Sequence, residues 1–284
     1  MGWEIYDALI EGIPDDVQVK DYGLGLNWSW LEAESGCGVS YTLRGGSKRG
    51  GKRDLRGKSL RKAAELSKSW FFEDATIGIA ALNAWYSQRD RIADIPNSSV
   101  LYDHGPSIYN GVCPQFSEEN SAEESQGFRY RADRKNEVDP FYAFRPEIGM
   151  QGGNAKVVVI GHFPHVEDIA EYASLTVLER NCSSELDTPD PACEYVIPDA
   201  DYVYMTGVTI INKTMPRLLE LSQNAKIFMV GPSVIPSNIF FKNGVHSIGG
   251  RVVLDPEKVK FCCSSRESFG DALESYLLRS TTEV

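Results

Sequence analysis

The sequence predicts an α/β protein in two units: an α+β unit over residues 1–150, followed by a mostly parallel α/β unit over residues 151–284. The central observation is an unbroken apolar run at residues 157–160 that stops at Gly161. A run without polar alternation is typical of a strand covered on both faces, as in a parallel sheet. In contrast, the first unit contains an alternating segment at residues 23–31, which is typical of an antiparallel strand.

Composition limits the classes of function. The 284 residues include 29 Lys and Arg against 40 Asp and Glu, for a net charge of −11, and 42% are hydrophobic. An acidic chain is a poor match for nucleic acid, whose binding depends on charge neutralisation. No apolar run approaches the roughly 20 residues that span a bilayer, and no basic-then-apolar leader is present. We therefore expect a cytoplasmic protein with reduced cysteines and a small-molecule ligand.

The first unit begins with a predicted helix over residues 3–10, which Gly12 and Pro14 end. Alternating segments at residues 23–31 and 38–43 predict a hairpin, with its turn at residues 35–38. The pattern places Leu24, Leu26, Trp28 and Trp30 on one face of the first strand.

A loop at residues 44–58 is rich in Gly, Lys and Arg, and it serves either as solvated surface or as a clamp for an anion. Ser59 is a predicted N-cap for a helix that buries residues up to Trp70 and Phe71. A second helix is predicted from Asp74 to about Gln88.

Asn83 is the polar exception on the apolar part of this second helix. Burial statistics favour a surface residue or a hydrogen-bonded core amide over a functional role.

Residues 95–154 form the least regular part. Four glutamates (Glu118, Glu119, Glu123 and Glu124) precede a basic stretch that includes Arg129 and Lys135. Such composition indicates an exposed insertion or a loop. A glycine pair at residues 152–153 then marks the joint between the units.

After the central strand, the pattern predicts a short helix over residues 166–173 and a second strand at residues 175–180, which contains Glu179. Further strands are predicted at residues 202–207, 226–230 and 245–250. Residues 187–198, with three prolines, read as a loop, the stretch around Val259–Phe261 as a strand end, and residues 269–279 as a closing helix.

Three strand ends should therefore meet at one edge of the sheet, where α/β proteins bind ligands. They are Gly161, Thr206-Gly207 and Gly231-Pro232-Ser233, and these residues, with Phe163 and Pro164 after Gly161, are the ligand-binding candidates. Asn212 or Thr214 is expected to cap the helix after the third strand and to add oriented donors for an anion or a carbonyl. Because His162, Phe163 and Pro164 follow Gly161, the phosphate-binding glycine pattern is absent, and ordinary NAD(P) binding is disfavoured.

Two acidic or basic side chains could do chemistry at this edge. Glu179 and His162 are the two candidates for a general base. Glu179 could also serve only to accept hydrogen bonds from a ligand, or could equally face solvent. His162 and His165 have a spacing that a metal site can use, although two loop histidines explain it as well. With Glu179, they are the candidate metal ligands, and Cys182 or Cys193 could add a thiolate.

These motifs together resemble a family of two-domain prokaryotic proteins that are labelled putative heavy-metal chelation proteins. The resemblance covers nearly the whole chain, notably residues 3–6, 78–84, 159–164, 201–214 and 230–233. It implies an enolase N-terminal-like domain, a Rossmann-like domain and a pocket between them for a pterin-, flavin- or siderophore-like molecule. It also implies that Asn83 reaches the mouth of that pocket.

The resulting expectation is a small-molecule-binding protein linked to heavy-metal chelation, in which the bound species is a metabolite or a divalent transition metal. Condensation or hydrolysis of the metabolite is the enzymatic version of this expectation. Direct metal binding and non-catalytic metabolite sensing are the alternatives, and a homo-oligomer stays open.

Overall fold

The structure is a computed structural model, and it describes residues 2–48, 54–103, 108–110 (backbone only), 137–265 and 267–282. It is a mixed α/β fold with one large sheet and one small antiparallel sheet. The glutamates of residues 118–124 and the basic stretch after them lie outside the described residues. No helix in the described ranges has both the length and the apolar character needed to span a membrane.

The small sheet contains β1 (Val19–Gly23), β2 (Trp28–Ala33) and β3 (Gly36–Tyr41), in that order and antiparallel. The predicted hairpin is confirmed, but its turn is shorter than expected. Ala33 pairs with Gly36, which leaves only Glu34 and Ser35 in the turn. The prediction for Leu24 and Leu26 is wrong: both are exposed, because they lie in the connection between β1 and β2.

Helices of the first half cover this sheet. They are α1 (Glu4–Glu11), α2 (Leu60–Ala64), α3 (Phe72–Tyr86) and α4 (Arg89–Ala93), with a 3₁₀ turn at Glu65–Lys68. The predictions of α1 and α3 are confirmed. The predicted burial of Trp70 is wrong, since this side chain is 57% exposed after the end of the 3₁₀ turn.

Helix α3 is the core of this region. Every residue from Ala75 to Ala84 is buried, because β2 and β3 cover one side and α2, the 3₁₀ turn at Glu65–Lys68 and the helix Val208–Ile211 cover the rest. Close approach depends on Gly38 and Gly78. A Cβ atom on Gly38 would lie 2.2 Å from the backbone nitrogen of Ala84, so no larger residue fits against α3.

The large sheet has nine strands in the order β5-β4-β12-β11-β10-β9-β6-β7-β8. The strands are β4 (Ser98–Tyr102), β5 (Ile108–Asn110), β6 (Lys156–Ile160), β7 (Ser174–Glu179), β8 (Asp187–Pro189), β9 (Tyr202–Thr206), β10 (Lys226–Val230), β11 (Val245–Val253) and β12 (Leu273–Ser280). The six strands from β8 to β11 are parallel, and β12, β4 and β5 add antiparallel pairs. The large sheet therefore takes strands from both sides of residue 150.

Helices and turns connect these strands. The α-helices are α5 (Pro140–Ala143), α6 (Arg145–Gly149), α7 (Cys193–Val196), α8 (Val208–Ile211), α9 (Met215–Leu221), α10 (Asn238–Phe241) and α11 (Pro256–Ser265). The 3₁₀ turns are Val166–Glu171, Asp190–Ala192, Ile197–Asp199 and Gly270–Ala272. The helix predicted after Pro164 is thus a 3₁₀ turn.

Two predictions for the C-terminus are wrong. Residues 273–280 form strand β12 instead of a helix, and residues 256–265 form helix α11 where a strand end was expected. β12 pairs along both edges, with β11 and β4, and its buried residues lie on both faces of the sheet. Its buried residues therefore do not alternate with polar ones, and the pattern resembles that of a buried helix.

Residues 187–198 are also more regular than predicted, because they contain β8, a 3₁₀ turn and α7. Likewise, residues 98–102 are a strand, although an irregular segment was expected there. β4 pairs along its whole length with β12, a contact between residues more than 170 positions apart that local composition does not report.

Candidate functional site

The central strand β6 marks the point where the direction of sheet building reverses. From β6 the chain adds β7 and β8 on one side, and then β9, β10 and β11 on the other. Connections at such a point diverge, which opens a crevice at the carboxyl ends of the two central strands. β6 and β9 are those strands, and Gly161 and Gly207 follow them.

Glycines let the backbone turn away from the crevice. Gly161 and Gly231 have φ angles of 101° and 111°, a region that side chains other than glycine rarely adopt. Gly207 is needed for a different reason: a Cβ atom there would lie 2.6 Å from the backbone carbon of Ser233. The loops after β9 and β10 therefore touch along their backbones.

A cavity of about 800 Å³ lies over these strand ends. It has the size of pockets that enclose small organic ligands. The predicted residues that line it are Gly161, His162, Phe163, Glu179, Thr206, Gly207, Asn212, Thr214, Gly231, Pro232 and Ser233. Three other predicted residues, Asn83, Pro164 and His165, do not line it.

Aromatic and aliphatic side chains of the small sheet form the opposite wall. Trp28, Tyr41 and Leu43 line the cavity, and the rings of Trp28 and Tyr41 meet edge to face at 5.7 Å between their centroids. On the large sheet, Phe163 contacts Phe141 at 5.1 Å between ring centroids. A flat ligand in the cavity would therefore meet aromatic side chains from both parts of the chain.

Asn83 joins the two walls from behind the cavity. Its side chain is 1% exposed, and Nδ2 donates to the carbonyl oxygens of Val39 (3.0 Å) and Pro232 (3.3 Å). Oδ1 accepts a hydrogen bond from the hydroxyl of Ser87 (3.0 Å). Asn83 is therefore a hydrogen-bonded core amide that fixes the position of Pro232.

Ser233 makes a second connection between the sheets. Its Oγ accepts a hydrogen bond from the backbone N–H of Tyr41 at 2.8 Å. The hydroxyl proton is then left to donate, and the residue lines the cavity while only 3% exposed.

Glu179 is held by the backbone at the end of β7. Its two oxygens accept hydrogen bonds from the N–H groups of His162 (2.8 Å) and Arg180 (2.9 Å). Each carboxylate oxygen can accept a further hydrogen bond. The side chain is thus an oriented acceptor on the cavity wall.

His162 pairs with a carboxylate that the sequence analysis did not single out. Nδ1 of His162 lies 2.8 Å from Oδ1 of Asp187, the first residue of β8. The N–H groups of Ser183 and Ser184 donate to Oδ2 at 2.8 Å each. These two N–H groups and His162 hold the pKa of Asp187 below its usual value. An ionised Asp187 places the proton on Nδ1 and leaves Nε2 as the acceptor.

The polar residues after β9 bond to one another. Oδ1 of Asn212 accepts from both the N–H (3.1 Å) and the hydroxyl (2.7 Å) of Thr214, and neither side chain caps α9 as predicted. The hydroxyl of Thr206 accepts from the N–H of Val208 at 3.3 Å. Thr206 therefore keeps its hydroxyl proton for another partner.

Three basic residues of the cavity were also missed. Arg180 pairs with Asp190 at 3.0 Å, and Arg217 pairs with Glu194 and Glu220. The third is Lys213, whose pKa burial lowers to about 7. Asn212 and Thr214 were singled out on either side of it, but burial by distant residues has no signal in the local sequence.

Comparisons with known proteins follow the same division of the chain. Two sequence models, both described as putative heavy-metal chelation, match residues 6–86 (DUF4213) and residues 148–263 (DUF364). The crystal structure of a DUF364 protein of unknown function from Desulfitobacterium hafniense has 30% sequence identity and a TM-score of 0.74, and the alignment covers 98% of both chains. The chain belongs to the DUF364 family.

More distant relatives share the fold or the sequence along most of the chain. A DUF364 protein of unknown function from Pyrococcus horikoshii has a TM-score of 0.68 at 18% identity, with 96% of this chain and 97% of that chain covered. An uncharacterised protein of Methanocaldococcus jannaschii is 25% identical over 271 residues, which is 88% of this chain and 86% of the relative. Both matched DUF segments contribute to the cavity, the first with Trp28 and Tyr41 and the second with the strand ends.

The donor set of this DUF364 protein does not fit a resident metal ion. Nδ1 of His162 is taken by Asp187, and backbone N–H groups occupy Glu179. His165 is exposed, on a left-handed backbone, and outside the cavity. Over the ranges that the structure describes, no three His, Cys, Asp or Glu side chains are grouped to hold a metal.

Proposed function

We propose that this protein binds a small, flat, metal-chelating metabolite in the cavity over the ends of β6, β9 and β10. The observation that carries the proposal is the shape and lining of that cavity: about 800 Å³, aromatic side chains on both walls, and a few oriented polar groups. Pockets of this kind bind organic ligands, and their polar groups select the orientation. A pterin, a flavin or a catechol-type siderophore has this combination of ring and oxygen atoms.

Each polar group has a role in the proposal. The Thr206 and Ser233 hydroxyls donate to ring carbonyl or anionic oxygens, while Glu179 accepts from ring N–H or O–H groups. Phe163 packs on the ring. A heavy metal then enters as cargo of the metabolite, since the side chains that the structure describes around the cavity do not form a metal-binding group.

The proposed domain division follows from the same features. We assign residues 1–150 to an enolase N-terminal-like domain and residues 151–284 to a Rossmann-like domain, whose sheet is extended by β4 and β5 of the first segment. The small antiparallel sheet followed by helices supports the first assignment. For the second, the parallel strands β8-β7-β6-β9-β10-β11 correspond to the order 3-2-1-4-5-6 of dinucleotide-binding folds, although the glycine pattern for a pyrophosphate is missing.

One observation favours an enzyme over a carrier. The pairing of His162 with Asp187 fixes the imidazole ring and directs Nε2 away from the carboxylate. This is the arrangement of a general base that takes a proton from water or a hydroxyl group, as hydrolysis or condensation requires. Between the two candidate bases, His162 is therefore preferred, and Glu179 is assigned to binding.

Native mass spectrometry of the purified protein tests the binding proposal. We expect a co-purifying species of small-metabolite mass, with or without a metal. Thermal shifts with a pterin, riboflavin and a catechol carboxylate, each with and without Ni²⁺ or Zn²⁺, then identify the class. A ligand at about 100 times its Kd stabilises a protein by about 2.7 kcal/mol.

Variants make the test specific. Glu179→Gln and Phe163→Leu should each weaken binding of the active probe about tenfold or more. The control Glu185→Gln changes an exposed residue that does not line the cavity, and it should bind like the wild type. If no probe binds and nothing co-purifies, or if Glu179→Gln and Phe163→Leu bind normally, the proposal is wrong.

A further inference from the structure

Lys213 differs from the other basic residues of the cavity. It follows α8 with a φ angle of 67°, a left-handed conformation that is uncommon for residues other than glycine. Asn212 and Thr214, on either side, are fixed by their mutual hydrogen bonds. Lys213 itself is one of the residues that line the cavity.

The amine is enclosed without a carboxylate partner. Nζ donates to the carbonyl oxygen of Ile211 at 2.6 Å, and it lies 5.9 Å and 5.6 Å from the ring centroids of Trp70 and Phe72. Among the described residues, no Asp or Glu lies within ion-pair distance of Nζ, whereas Arg180 and Arg217 each have such a partner. Desolvation without a countercharge favours the neutral amine, which is the nucleophilic form.

We propose that Lys213 is an imine-forming residue, whose amine condenses reversibly with an aldehyde or ketone group of the ligand bound in this cavity. The inference rests on the proposed ligand site and adds an aldehyde or ketone substituent to its ligand, because the amide-type ring carbonyls of pterins and flavins do not form imines. In the step, the Nζ lone pair attacks the carbonyl carbon, and a proton passes from nitrogen to oxygen to give a carbinolamine. The hydroxyl group then leaves as water with the remaining N–H proton, which forms the C=N bond, and addition of water reverses this step.

A lysine with a purely structural role would have to be charged. If Lys213 only bridges Ile211 and the rings of Trp70 and Phe72, it needs its positive charge, because cation–π attraction depends on that charge. Arginine preserves that charge but cannot form an imine under these conditions. Lys213→Arg therefore separates the two roles.

The experiment uses benzaldehyde as the carbonyl probe on the full-length protein at pH 7, followed by sodium borohydride, which reduces an imine to a stable secondary amine. Peptide mass spectrometry then compares labelling of Lys213 with that of Lys62, an exposed lysine of α2 in the same molecule. At a pKa of about 7, half of the Lys213 amines are neutral, against about 0.04% for an ordinary lysine. We expect labelling of Lys213 to be at least ~10-fold faster, since lower basicity offsets part of this advantage.

Lys213→Arg should abolish the fast labelling and leave Lys62 unchanged. Equal labelling rates of Lys213 and Lys62 in the wild type would overturn the inference, and this comparison does not depend on whether any variant folds.

A second measurement separates this inference from the proposed function. Borohydride treatment of protein that carries its co-purifying metabolite should leave a covalent adduct on Lys213. A metabolite that binds but is never trapped would overturn the role of Lys213 while the binding proposal stands. Conversely, fast labelling of Lys213 in a protein that binds no metabolite would support the reactive amine and refute the metabolite-binding proposal.

Discussion

Replacement of Gly38 by alanine should destabilise the protein and open the cavity. The added Cβ atom would lie 2.2 Å from the Ala84 nitrogen and 2.3 Å from the Ala80 oxygen. Ordinary contact begins at 3.4 Å, so β3 and α3 must move apart by about 1.2 Å. Both clashing atoms belong to the helix backbone and cannot swing aside as a flexible side chain could. The free energy of unfolding should fall by about 3 kcal/mol, the upper end of the range for overpacked cores.

Thermal and urea unfolding measure this effect. For a chain of this size, about 3 kcal/mol corresponds to a fall in Tm of roughly 6–12 °C. Because Val39 and Tyr41 follow Gly38 on β3 and bond to Asn83 and Ser233, ligand binding should weaken as well.

The matched control is Gly149→Ala. Gly149 ends α6 with no atom within 4 Å of the added Cβ and no positive φ angle, so alanine should change stability by less than about 1 kcal/mol. If Gly38→Ala unfolds at the same temperature and urea concentration as Gly149→Ala, β3 does not pack closely on α3.

Three further predictions concern buried polar contacts. Asn83→Asp replaces an N–H donor by an acceptor that faces two carbonyl oxygens, and it should cost about 2–4 kcal/mol in urea unfolding, whereas a loss below 1 kcal/mol would contradict the assigned hydrogen bonds. The pKa of Asp187 is lowered in the folded protein, so its stabilising effect should be present above the usual pKa near 3.8 and should disappear as the pH falls below that value. The Tm difference between the wild type and Asp187→Asn should therefore shrink as the pH is lowered from above 3.8 to below it. A pH-independent difference would refute this linkage. Arg89→Ala removes an ion-pair partner of Glu274, whose side chain is fully buried. Because Arg89 itself is half exposed, the free energy of unfolding should fall by about 2–3 kcal/mol, and the double variant with Glu274→Gln should partly restore it. An Arg89→Ala variant as stable as the wild type would disprove this prediction.

The parallel strands could be predicted from the sequence because each leaves a simple local signal. β6 is an apolar run that both neighbouring strands and the covering layers bury completely, and Gly161 ends it. The same combination recurs at β9 and β10. Since parallel strands place their carboxyl ends at one edge, the local signals also predicted which loops meet.

The errors occurred where a distant contact determines the structure. β12 is a strand because it pairs with β11 and β4, although its buried residues follow no alternation. Trp70 was predicted to be buried by its helical spacing, but the chain turns from a 3₁₀ helix to an extended conformation at Ser69. Local periodicity cannot report either event.

The candidate site shows the same limit. The sequence indicated His162 and Glu179, because they follow strand ends, but it did not indicate Asp187, which reaches His162 from a strand 25 residues later. Sequence reasoning left Asn83 open between a core amide and a functional residue, and its hydrogen bonds make it a core amide that positions Pro232. Its influence on ligand binding should therefore be indirect, through the shape of the wall.

Lys213 illustrates why the chemistry of a residue can depend on a contact between the two halves of the chain. In isolation, the sequence around it offers a lysine in a polar turn, which should be charged and solvated. Trp70 and Phe72, at the start of α3, have their ring centroids 5.9 Å and 5.6 Å from its amine and shield it partly from water. A change in the packing of α3 should therefore alter the reactivity of Lys213, and Gly38→Ala, which pushes β3 away from that helix, should slow benzaldehyde labelling if α3 shifts with it.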